Sequence, residues 1–180
     1  GNTKPAVLDA LSTSINEASV LYLNLIAALR ARAEAAATSA ADEAAAAVAQ
    51  KPYLDSISRC FVFLGDLARY KETLVHHQPV AEGTDAAAAE ASKSAAAQQA
   101  VAQAGAYYQV AVQLNPASGN PHNQLAVLCL NAKDNLAAVY RYARSLLAEA
   151  PFPTARENLM QVLERNRQAV AQLADSPQVK

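Results

Sequence analysis

Cys60-Phe61-Val62-Phe63-Leu64-Gly65-Asp66-Leu67-Ala68-Arg69-Tyr70-Lys71 reads as the second half of a helix that starts near Pro52. At the helical turn of about 100° per residue, Ile57, Cys60, Phe61, Leu64, Leu67 and Ala68 share one arc, the expected core face. Gly65 sits at the edge of that arc. Glycine inside a helix costs about 1 kcal/mol relative to alanine. The compensation expected here is close approach of a neighbouring helix backbone. Arg69 lies one turn beyond Gly65, on the flank between the buried arc and solvent. Asp66, three residues earlier, can hold its guanidinium. A held, partly buried guanidinium beside a tyrosine hydroxyl suits an oxyanion such as phosphate. The competing reading is a surface Asp–Arg pair beside a core tyrosine.

The chain has 180 residues, enough for one domain with a real core. Its net charge is −1, so no basic field argues for nucleic acid. Alanine supplies about a quarter of the residues, and there is no Trp. This composition predicts an all-α protein. Cys60 and Cys129 each fall inside an apolar helical pattern and read as reduced core residues. No signal-peptide pattern and no long apolar run is present, so an intracellular, soluble protein is expected. His76-His77 has no third ligand at a useful spacing, so neither a metal nor any other cofactor is expected.

Working outward, residues 6–34 carry Leu8, Leu11, Ile15, Tyr22, Leu25, Ile26 and Leu29 at helical spacing. Residues 35–50 are mostly alanine without a large apolar anchor and read as a low-complexity insert, more connection than core. Pro52 suits the first turn of the central helix. Residues 73–93 read as a second low-complexity insert. A third helix spans residues 95–114, followed by a break at Asn115-Pro116-Ala117-Ser118-Gly119-Asn120-Pro121. The fourth covers 121–130, with Leu125, Val127 and Leu128 buried. The fifth covers 135–150, with Leu136, Val139, Tyr140, Ala143, Leu146 and Leu147 as its packing residues. The sixth starts at Thr154, whose spacing to Glu157 makes a capping box. One domain over residues 6–175 is expected.

Helices joined by short turns suggest the 34-residue tetratricopeptide repeat. Leu64-Gly65 fit repeat positions 7 and 8, and Phe61 fits position 4. Ala104, Tyr108, Ala111 and Pro116 fit positions 20, 24, 27 and 32. Leu64 to Pro116 is 52 residues where the pattern allows 25, so an insertion of 27 separates the halves. The second repeat follows in register, with Leu125-Ala126, Ala138, Tyr142 and Ser145 at positions 7, 8, 20, 24 and 27.

The run Cys60 to Tyr70, then Ala106-Tyr107-Tyr108, Leu114-Asn115-Pro116, Gly119-Asn120-Pro121-His122-Asn123-Gln124-Leu125-Ala126, Tyr142-Ala143-Arg144-Ser145-Leu146, Pro151-Phe152 and Asn158-Leu159 occur in that order. Together they resemble the amino-terminal 14-3-3-like domain of the Ever-Shorter-Telomeres and SMG-type proteins, over about residues 8–170. These are telomerase-associated factors and factors of nonsense-mediated mRNA decay. The resemblance implies antiparallel helices forming 14-3-3-like tetratricopeptide repeats and a phosphoserine/phosphothreonine site in a concave groove. Arg69-Tyr70 matches the Arg-Tyr that grips phosphate in 14-3-3 proteins. The family's lysine partner comes from a helix upstream of the one matching 6–34, and Lys4 does not stand in its motif. The backbone-clamping asparagine of 14-3-3 proteins falls on Leu130 by repeat position, next to Asn131. Arg144 matches a family arginine, with a pair to Glu149 as the alternative.

The implied function is a phosphopeptide-binding adaptor domain of a decay factor. Its partner would be a phosphorylated protein, by resemblance the phosphorylated RNA helicase of the pathway, with a homo- or heterodimer with a family member also implied. The alternatives are a telomerase-associated factor and a plain tetratricopeptide scaffold without phosphate dependence. Val62 and Asp66 stand where a carboxylate-clamp scaffold wants Lys and Asn. No catalytic constellation can be assembled, so no enzyme is expected. Neither a membrane nor direct nucleic-acid contact is expected of this domain. The expected location is the cytoplasm, with a nuclear pool as the alternative.

Overall fold

The computed structural model describes residues 3–77 and 85–174. Six helices account for most of them: α1 Thr3–Thr38, α2 Glu43–His77, α3 Ala86–Leu114, α4 Asn120–Asn131, α5 Asn135–Leu146 and α6 Ala155–Ala174. Among the described residues the sole extended pairing is an isolated bridge between Ser118 and Ala150. The protein is an all-α helical-repeat protein. Its internal contacts divide it into two compact units, Gly1–Asn115 and Pro116–Lys180.

The first unit is built on α2, against which both α1 and α3 pack. Tyr22 meets Phe63 with ring centroids 5.3 Å apart, while Leu11 lines a cavity with Leu74, so α1 and α2 run antiparallel. Ser58 Oγ donates to the Ala111 carbonyl at 2.9 Å, and Tyr108 reaches Asp66, so α3 runs antiparallel to α2. The expected core arc holds: Ile57, Cys60, Phe61, Leu64 and Ala68 are buried. Ala104, Tyr108 and Ala111, the three repeat positions of α3, are fully buried.

Gly65 is explained differently from the expectation. A Cβ there would come 2.3 Å from Cε1 of Tyr108. A side chain, not a neighbouring backbone, occupies the space. The glycine is the notch into which the position-24 aromatic ring fits.

The two alanine-rich stretches are largely helical. α1 continues to Thr38 and α2 begins at Glu43, leaving a four-residue turn inside 35–50. Asp42 caps α2, its carboxylate accepting from the Ala45 N–H at 2.8 Å. Pro52 therefore lies well inside α2, not in its first turn. Alanine is the best helix former and needs no large anchor where small buried contacts serve. Ala33 and Ala97, the nearest buried alanines, lie just outside the two stretches, within which no described residue is buried. Of the second stretch, 73–77 ends α2, 78–84 lies outside the described residues, and 86–93 opens α3. Asp85 caps α3 by accepting from the Ala87 N–H.

In the second unit α5 packs against both α4 and α6. The buried repeat positions Ala126 and Tyr142 meet Ala155 and Val162 in a core lined by Leu130, Val139, Leu146, Phe152 and Leu159. Ser145 Oγ donates to the Gly119 carbonyl at 2.7 Å, setting the register of α4 on α5. Asn158 donates to Asn123 Oδ1 at 3.1 Å, tying α6 to α4. α4 ends with Lys133 in the left-handed region at φ 61°. The Asp134 N–H bonds the Cys129 carbonyl and the Lys133 N–H bonds that of Leu130, the paired closure of a Schellman turn. Asp134 then caps α5 through the Ala137 N–H. α5 stops at Leu146, four residues before the expected end. Leu136 and Leu147, expected in its core, are exposed at 83% and 82%: they sit beyond the arc that Ala138, Tyr142 and Ser145 turn inward.

Candidate functional site: a pinned guanidinium on α2

Arg69 lies on α2 one turn beyond the Gly65 notch, with its side chain about a quarter exposed. Its Nη2 lies 3.4 Å from Asp66 Oδ1, the pairing the spacing predicts. Its guanidinium carbon stands 5.0 Å from the centre of the Tyr70 ring, a cation–π distance. Its Nε is buried and has no hydrogen-bond partner. Burial works against the charge, but Tyr108 and Asp66 outweigh it and hold the guanidinium pKa above its ordinary value. The group is a permanent cation with Nε enclosed, Nη2 in weak contact with a carboxylate, and about a quarter of the side chain exposed. That arrangement can accept an oxyanion through parallel N–H donors.

The tyrosine hydroxyl that joins Arg69 is not the one the spacing suggests. Tyr70 is half-exposed, and it lines a cavity of about 390 Å³ with Leu11, Ile15, Leu67 and Leu74 on the α1 side of α2. The buried hydroxyl near Arg69 is that of Tyr108 from α3. It donates to Asp66 Oδ1 at 2.8 Å. Burial, and then its bond to Asp66, push its proton loss well above the ordinary tyrosine value. Tyr108 escaped site reasoning because it lies 42 residues away in sequence. Its repeat position, opposite Gly65, was the available signal.

The other candidates lie in the second unit. Asn131 is the last residue of α4 and is exposed. Arg144 is exposed in the last turn of α5, and among the described residues it makes no ion pair with Glu149. Its charge acts on His122 instead. That imidazole is 4% exposed, its Nδ1 has no partner, and burial followed by Arg144 and Arg141 lowers its pKa. Arg69 and Tyr70 are thus brought together in the first unit, and Asn131 and Arg144 belong to the second. Lys71 is no substitute for the family lysine. Two residues along a helix is about 200° of rotation, which carries it away from Arg69. It lines a separate groove with Gln99, Gln103 and Tyr107. Among the described residues no cluster of three His, Cys, Asp or Glu could hold a metal. No described helix is long and apolar enough to cross a membrane.

The runs that carry the resemblance have structural roles as well. Gly119 accepts from Ser145, and a Cβ at Gly119 would meet the Ser145 carbonyl oxygen at 2.4 Å. Asn123 accepts from Asn158. Leu64 is buried as α2 core.

Residues 104–178 fit the family described as "Est1 DNA/RNA binding domain". The nonsense-mediated mRNA decay factor SMG7 of Arabidopsis thaliana is 44% identical over 120 residues, covering 67% of this chain and 10% of that protein. The telomerase-binding protein EST1A of Danio rerio is 37% identical over 120 residues, covering 67% of this chain and 6% of that protein. SMG7 of Danio rerio is 33% identical over 106 residues, covering 59% and 7%. The chain spans a tenth or less of the length of these curated relatives. With the 14-3-3-like signature runs, the repeat register and these matches in agreement, the chain belongs to the Est1/SMG family of telomerase-binding and nonsense-mediated mRNA decay factors.

Proposed function

We propose that this chain is a phosphoserine/phosphothreonine-peptide-binding adaptor domain of a nonsense-mediated mRNA decay factor, taking a phosphorylated protein, such as the phosphorylated helicase of the pathway, as partner. The observation that carries the reading is Arg69: a guanidinium held between Asp66 and the Tyr70 ring, with its side chain about a quarter exposed. A charge-assisted contact from such a group to phosphate contributes roughly 1.5–3 kcal/mol. The test is a titration of phosphorylated and unphosphorylated Ser-Gln peptides against wild type and Arg69→Ala. Arg69→Ala should weaken the phosphorylated peptide by about 10- to 150-fold, at 1.4 kcal/mol per tenfold, and leave the unphosphorylated one unchanged. Equal affinity for both peptide forms in wild type would retire the phosphate reading in favour of a plain scaffold.

A second reading, nucleic-acid binding by the Pro116–Lys180 unit, has the family description and one physical observation in its favour. That unit carries seven Lys and Arg against five Asp and Glu, whereas Gly1–Asn115 carries eight against eleven. Single-stranded RNA binding that falls steeply with salt, and is lost on Arg144→Glu, would support it.

A further inference from the structure

We infer that Tyr108 and Asp66 are positioning residues for phosphate recognition, Tyr108 acting from α3 on Arg69 both at its own hydroxyl and through the Asp66 carboxylate. This rests on the phosphate reading of Arg69. The Tyr108 ring is fully buried and sits in the Gly65 notch, where its contact atoms leave no room for a Cβ. Its hydroxyl is thereby held at one place. The single proton of that hydroxyl goes to Asp66 Oδ1 at 2.8 Å. The same oxygen accepts from Arg69 Nη2 at the longer distance of 3.4 Å.

Sharing that oxygen has two consequences. Asp66 is anchored by its better donor, so it cannot swing out to close on the guanidinium with both oxygens. It nevertheless restrains Arg69, which otherwise carries one of the largest losses of side-chain freedom on binding. With Nε enclosed, Nη2 restrained and the Tyr70 ring 5.0 Å from the guanidinium carbon, a ligand oxyanion meets an ordered cation on the quarter of the side chain that is exposed. The affinity of the site then depends on a hydroxyl that never touches the ligand.

Tyr108→Phe keeps the ring in the notch and deletes the proton that anchors Asp66. The experiment is a double-mutant cycle on the full 180-residue chain, pairing Tyr108→Phe with Arg69→Ala and titrating phosphorylated and unphosphorylated Ser-Gln peptides. Alongside it, the Arg69 Nε–H signal is followed by NMR in wild type and Tyr108→Phe without peptide. Tyr108→Phe should weaken the phosphorylated peptide about three- to tenfold, the scale of losing one hydrogen bond. In the Arg69→Ala background it should change affinity by less than about twofold, because Tyr108 acts only through that guanidinium. The Arg69 signal should broaden in the variant. Unchanged affinity and an unchanged signal would overturn the inference, as would equal weakening in both backgrounds. If wild type does not prefer the phosphorylated peptide, the phosphate reading fails, and the Arg69 signal alone decides whether Tyr108 orders that side chain. Should Tyr108→Phe melt below the assay temperature, Asp66→Asn takes its place in the same cycle.

Discussion

Tyr108 in the first unit and Tyr142 in the second stand at the same position of their repeats, each buried against the position-8 residue of the preceding helix. The partner of Tyr108 is Gly65, and there the ring lies so close that no Cβ fits. The partner of Tyr142 is Ala126, and there the ring joins an apolar core with Ala155 and Val162. The Tyr108 hydroxyl donates to Asp66, beside Arg69. Among the described residues no carboxylate bonds the Tyr142 hydroxyl, which instead feels the charge of Arg165 and, to a smaller degree, Cys129. One repeat scaffold thus supports two kinds of contact. Removing one Cβ lets an aromatic ring approach until its hydroxyl can serve a charged pair; keeping the Cβ leaves a plain apolar contact.

Exchanging the two position-8 residues gives the largest expected effect. Gly65→Ala should destabilise the first unit by about 1–3 kcal/mol, the usual cost of overpacking, despite the better helix propensity of alanine. Ala126→Gly should cost about 1 kcal/mol for the opposite reason, lost propensity and a lost buried methyl. Urea denaturation of both variants checks the pair. Equal tolerance of alanine at both positions would break the distinction.

Next come the hydroxyls. Tyr108→Phe strands part of Asp66 and should cost about 1 kcal/mol of stability, whereas Tyr142→Phe should fall within about 0.5 kcal/mol of wild type. Thermal melts of the two variants sharpen the contrast independently of any ligand.

The smallest effect concerns His122. Its folded pKa lies below the ordinary 6.5, through burial and then Arg144 and Arg141. The unfolded chain therefore takes up a proton at a higher pH than the native one does. The contribution of the neutral imidazole is fully present above pH 6.5 and is lost as pH falls below it. His122→Gln should flatten that acid limb of the melting profile. A profile identical to wild type between pH 7 and 5 would show that His122 does not titrate there.

Much of the architecture was legible because repeat positions are small or aromatic for steric reasons. Ala104, Ala111, Ala138 and Ser145 are fully buried where the repeat register puts them. The alanine-rich stretches were harder to read. Periodicity is carried by large apolar residues, and a helix of alanine shows none, so its ends must be read from caps. Asp42 and Asp85 were those caps. Leu136 misled for the opposite reason, being large and apolar but one position outside the inward arc. At the candidate site, the local pair of Asp66 and Arg69 follows from spacing of three along one helix. Tyr108 could not be found that way, because its contact is made by the packing of α3 on α2 and leaves no local pattern.

Pro52 bears on how α2 breathes. Proline has no amide hydrogen, so the carbonyl of Val48 has no helical donor in the next turn, and Val48 is 74% exposed. Water can serve that carbonyl without breaking any buried bond. The amides of Glu43 to Lys51 should therefore exchange with deuterium through a separate, low-energy opening. Those from Ile57 to Ala68, backed by buried side chains, should exchange only when the whole helix leaves its neighbours. The helix that carries the site is, in the time domain, two segments with different lifetimes, and the guanidinium sits at the end of the slow one.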